Sequence, residues 1–151
     1  MISNERDKLR QFYCDTWEKH CQQKEALSPL EQQIAAVIKE HPEYQKVLEN
    51  KEASVQADYL PEMGDSNPFL HMGMHLGLRE QVSTNRPQGI AELYQSIVTL
   101  SNVHDAEHEM IECLAESIWQ AQQNQTQPDE IAYLQCLKKI LQKHQKSNNK
   151  T

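Results

Sequence analysis

The chain predicts an all-α fold, a single-domain helical bundle of about six or seven helices, and three observations carry that prediction. Glutamine, glutamate, lysine and leucine are plentiful, while only four glycines occur among 151 residues, a balance that favours helix. Apolar residues recur at intervals of three and four, with no long alternation of Val, Ile and Thr. Fresh starts are marked by cap-and-proline pairs, Ser28-Pro29 and Asn67-Pro68, and by His41-Pro42 and Pro128.

The elements follow in order. Residues 4–25 read as an amphipathic helix through Leu9, Phe12, Tyr13, Thr16, Trp17 and Cys21, with His20 at the edge of that stripe. Ser28 with Glu31 three residues on forms a capping box, and Pro29 takes the first helical position. Ile34, Val37 and Ile38 give that helix a short inward face. His41-Pro42 restarts the chain, because a residue before proline leaves the helical region; Tyr44, Val47 and Leu48 then predict a short helix. Residues 51–67 show no sustained period and contain Pro61 and Gly64. So long an irregular connection is either a cover for a site or a spacer.

Asn67-Pro68 opens a helix to about Thr84 with Leu70, His71, Met74, His75, Leu78 and Val82 on one face. Phe69, Met72 and Leu76 widen that face, so a buried central helix is expected. Gly73 and Gly77, four apart, suggest a groove for a close neighbour, since an interior glycine otherwise costs about 1 kcal/mol against alanine. A shorter helix follows through Ile90, Leu93, Tyr94, Ile97 and Val98. The long helix after Ser101 carries Met110, Ile111, Leu114, Ala115, Ile118 and Trp119 on an apolar arc that takes in His104, Glu107 and His108. Asp105, Glu109, Glu112 and Glu116 lie opposite. Pro128 starts a last helix through Ile131, Leu134, Leu137, Ile140 and Leu141. One domain over residues 1–145 and a polar, disordered tail over 146–151 are expected.

Charge narrows the partners. A net charge of −7 argues against nucleic acid, whose binding rests on cations neutralising phosphates, and against an anionic membrane surface. No apolar run is long enough for a signal peptide or a membrane span. Cys14, Cys21, Cys113 and Cys136 form no CxxC pair, and with the charged start they suggest a reduced, cytoplasmic protein, in which a disulfide is open but has no support in the spacing.

Of seven histidines, four form i,i+4 pairs, His71/His75 and His104/His108; random placement gives roughly a third of one such pair. Each pair sets two imidazoles on one helical face, as a bidentate metal clamp requires. If the helices starting near Pro68 and Asn102 flank one short helix, running up, down, up, both pairs sit at one end of the bundle. The metal-ligand candidates are therefore His71, His75, His104 and His108, with Glu107 as a further ligand or as the catalytic base for a metal-bound water. An imidazole-rich set favours zinc, non-haem iron or nickel. The rival reading is a non-catalytic interaction module, with a homodimer as one form of it, in which these groups make a buried His/Glu polar network. His104-Asp105-Ala106-Glu107-His108 fits the inverted zinc-protease pattern, but too few residues follow for such an enzyme's downstream ligand. No G-x-S-x-G turn or phosphate-cradling glycine loop occurs. Cys113 projects opposite His104, which speaks against a Cys-His nucleophile.

The segments HPEYQKVLEN, NPFLHMGMHLGLREQ, NRPQGIAELYQ, HDAEHEMIECLAESIWQAQ and PDEIAYLQCLKKI together resemble a family of small bacterial proteins catalogued as domain of unknown function 1841. The resemblance runs from about Asp7 to Leu141. It implies one compact domain in the bacterial cytoplasm and transfers no catalytic residue.

Overall fold

The computed structural model describes residues 4–22, 26–50 and 67–149; the irregular connection over 51–67 lies outside them but for Asn67. Seven helices and no strand occur among the described residues: α1 Asn4–Gln22, α2 Pro29–Lys39, α3 Pro42–Glu49, α4 Pro68–Thr84, α5 Ile90–Leu100, α6 Val103–Asn124 and α7 Glu130–Asn149. The all-α prediction holds. No helix among the described residues is long and apolar enough to cross a membrane. The chain forms two compact units, residues 1–76 and 77–151.

In the first unit α1, α2 and α3 pack on one another. Burial on α1 falls on Arg10, Tyr13, Cys14, Thr16 and Trp17, while Leu9 is 54% exposed and Cys21 is exposed. The inward stripe is thus turned from the expected one, which a three-and-four pattern cannot resolve at its edges. Arg10 is tolerated inside because its guanidinium lies 5.1 Å from the centre of the Phe69 ring, a cation–π placement. His20 is half-buried and stacks on Trp17, as a core-edge residue should. Ser28 and Glu31 make the full capping box of α2. Lys19 reaches Glu31 at 3.1 Å and so ties the end of α1 to the start of α2. The Ser28 backbone N–H first, and Lys19 next, hold the Glu31 carboxyl below its usual range. Ile34, Val37 and Ile38 complete the core with Tyr13, Trp17, Tyr44, Leu48, Phe69 and Met72.

Asn67 caps α4, its side-chain oxygen accepting the backbone N–H of Phe69 and Leu70. Among the described residues no neighbouring helix closes on its glycines. A Cβ on Gly73 would meet only the Tyr13 hydroxyl at 3.8 Å, and one on Gly77 nothing within 4 Å.

In the second unit α4 ends on Asn85, whose φ of 54° is left-handed. Its side-chain oxygen accepts the N–H of Gly89 and Ala91 and so seeds α5. Gly89, at φ 104°, occupies a conformation other residues avoid. Asn102 caps α6 by accepting the Asp105 N–H. Helices α5, α6 and α7 pack pairwise over Leu78, Ile90, Ile97, Met110, Leu114, Tyr133 and Leu137. The long helix buries Ala106, Glu107, Met110, Cys113 and Leu114, whereas Trp119 is 56% exposed. Glu109 pairs with His144 and Cys113 with Cys136, so α6 and α7 run antiparallel. The second pairing is a disulfide, with Cα atoms 5.9 Å apart. It supplies a pairing that the cysteine spacing gave no support for. Cys14 and Cys21 take no part in a disulfide. The last helix runs to Asn149, through most of the stretch expected as a disordered tail.

Candidate functional site

Three histidines meet in the first unit. His71 and His75 stand one turn apart on α4, and their Nε2 atoms are 3.0 Å apart. His41, at the cap position of α3, faces them, with ring centres 4.5 Å from His75 and 5.7 Å from His71. One ring nitrogen from each of the three lies within 4.8 Å of the others. His41 and His75 are buried and His71 is half-buried, so the cluster has a dry side and a wetter one.

The local sequence explains the placement of His41. Pro42 keeps residue 41 out of the helical region, with φ −129° and ψ 79°. The chain turns there from α2 to α3, and the ring folds back on the end of α2, Nδ1 lying 2.7 Å from the Val37 carbonyl oxygen. A carbonyl only accepts, so Nδ1 carries the proton and Nε2 bears the lone pair. That is the orientation outer-shell bonds impose on metal-binding imidazoles. Tyr44 stacks on His41 with ring centres 4.9 Å apart. Burial, with the Glu43 charge second, pushes the Tyr44 phenol up. Tyr44 packs against the cluster as a neutral ring.

Geometry can be compared with the needs of an ion. Bonds of about 2.0–2.1 Å put two nitrogens of one tetrahedral zinc roughly 3.3 Å apart. The His71–His75 pair is already close to that spacing, and the bound of 4.8 Å on the rest asks for a closing of at most about 1.5 Å, shared between two rings.

The second predicted pair belongs to the other unit. His104 is exposed and His108 half-buried, with ring centres 4.3 Å apart. His108 Nδ1 donates to the His104 carbonyl at 2.7 Å, leaving Nε2 as the lone-pair nitrogen. His104 does not join the buried arc, because the inward face of α6 is narrower than its apolar pattern. Glu107 is fully buried, as its place on that arc predicts, and matched. Arg79 grips both carboxylate oxygens at 3.0 Å, and the Tyr94 hydroxyl donates to Oε2 at 2.6 Å. With both oxygens engaged, this geometry lends no support to a role as base.

His41 is the residue that sequence reasoning missed. The available signal was a histidine at a helix junction, directly before a proline and four residues after an inward-facing valine.

The family model described as Domain of unknown function (DUF1841) matches residues 5–139. The chain belongs to that family. No curated protein and no solved structure matches this DUF1841 chain significantly.

Proposed function

We propose that this protein holds a transition metal, zinc, non-haem iron or nickel, through Nε2 of His41, His71 and His75. The observation that carries the reading is the convergence of three ring nitrogens within 4.8 Å, with the proton of His41 held away on Val37. Two buried ligands fix the ion, and the half-buried His71 gives a side for exchange with solvent. Three nitrogens leave a tetrahedral ion one further position, the arrangement of catalytic rather than closed structural sites. Imidazole ligands favour zinc, iron or nickel over magnesium or calcium. For His104 and His108 as ligands the support is the sequence pattern, two i,i+4 pairs in early helical turns.

Elemental mass spectrometry on tag-free protein, grown with each candidate metal, tests the proposal. About one metal ion per chain, lost in His75→Ala while the far-UV spectrum stays helical, supports it. No metal bound under any of the supplementations overturns it. A second reading has its own observation: 3.0 Å between His71 and His75 is also a hydrogen-bond distance. In that case the three imidazoles form a dry polar network within an interaction module, and the same analysis finds no metal.

A further inference from the structure

The Cys113–Cys136 disulfide lies at the common wall of two clefts in the second unit. One, of about 320 Å³, is lined by Glu116, Gln120, Asp129 and Tyr133 with both cysteines. The other, of about 310 Å³, is lined by Glu109, Glu112, Lys139 and Lys143 with the same two. The two cysteines are unequal, since Cys113 is 4% exposed while Cys136 is half-buried. Lys139 and Lys143 follow Cys136 at three and seven residues, on the same face of α7. Cations in that position attract an anionic thiolate arriving in the cleft. Of the acids in that cleft, Glu109 is already engaged by His144 at 2.7 Å and Lys143 at 3.8 Å, and Glu112 opposes the lysines.

We propose that this disulfide is an exchange site that takes a low-molecular-weight thiol at Cys136. Clefts of this size fall at the small end of sites for small molecules and have no room for a folded partner. The thiolate attacks the Cys136 sulfur, forming a mixed disulfide there. The bond to Cys113 breaks, and its electron pair leaves on the Cys113 sulfur, which takes up the proton given up by the attacking thiol. A second thiol attacks the mixed disulfide at the small-molecule sulfur. Its proton passes to Cys136, and the two small thiols depart joined as a disulfide. Two thiols are oxidised and one cystine is reduced, so electrons and protons balance. Nothing in this step depends on the histidine cluster of the first unit.

The test uses the full chain carrying Cys21→Ser, which removes the exposed thiol, with reduced and oxidised glutathione as the probe. Acid-quenched peptide mapping of the oxidised protein in reduced glutathione should find the adduct on Cys136. The disulfide should open at least about tenfold faster than the chain unfolds globally, because exchange follows access to the sulfur. Opening at the global unfolding rate, or an adduct mainly on Cys113, overturns the proposal. Forms that keep only one cysteine of the disulfide sharpen it. With oxidised glutathione, Cys136 in Cys113→Ser should be modified at least about tenfold faster than Cys113 in Cys136→Ser. Equal rates in folded variants overturn it, and if either variant fails to fold the mapping on the oxidised chain decides alone.

Discussion

The polar interior of residues 1–76 centres on imidazoles gathered with their own kind, His41 and His75 beside His71, whereas that of residues 77–151 centres on one carboxylate met by its opposites. Glu107 has a guanidinium on both oxygens and a phenol on one. Such a pair is complete within itself, and its worth is structural: breaking it strands a charge. The histidine cluster instead brings ring nitrogens within 4.8 Å of one another, a spacing that a cation could bridge. The comparison separates a polar group that holds a fold from one that can hold a ligand. Both kinds are buried, and both begin with residues of the same chemistry at helical spacing.

The largest expected effect sits on the first side of that contrast. His75→Ala should take metal from about one ion per chain to none, read by elemental analysis, with the Glu107 network untouched. On the other side, Glu107→Gln should leave metal content unchanged. It should cost on the order of 3 kcal/mol in chemical denaturation, toward the low end of buried-pair losses because Arg79 keeps some contact with water. If Glu107→Gln strips the metal without unfolding, the structural role given to Glu107 is wrong.

Smaller effects probe the frame around each site. Ser28→Ala should cost about 1 kcal/mol by removing the cap of α2, the helix whose Val37 carbonyl orients His41. The same turn has an acid signature. The Glu31 carboxyl is depressed in the folded state, so its contribution is present above the unfolded value of about 4.3 and is lost as pH falls through the folded value. Thermal melts of Glu31→Gln should therefore be flatter across that acid limb than those of the natural chain. Smallest of all, Gly77→Ala should raise stability by up to about 1 kcal/mol, since a Cβ there meets nothing within 4 Å.

Much of the helical order was legible in the sequence because caps are local. Ser28 with Glu31, Asn67 before Pro68 and Asn102 each announce a start within four residues, and each start is found there. Pairing on one helix was legible for the same reason, so His71 and His75 meet as read. What stayed hidden depends on how helices face one another. His41 becomes a partner of His75 only once the junction between α2 and α3 folds against α4. Cys113 and Cys136 look unrelated at 23 residues apart until α6 and α7 are laid antiparallel. The apolar edge was misjudged at Leu9, Leu70 and Trp119, all more than half exposed, because periodicity marks a face without marking its width.

The central claim is that the histidine at the helix junction completes a site with the pair on α4, and one titration tests it. Tag-free protein and His41→Ala are stripped of metal and titrated with zinc against a chromophoric chelator. The account predicts about one tight site in the natural chain and a loss of at least about 100-fold in His41→Ala, beyond the 10–100-fold typical of an outer-shell partner. Equal affinity in the two proteins, or no tight site in either, would contradict it.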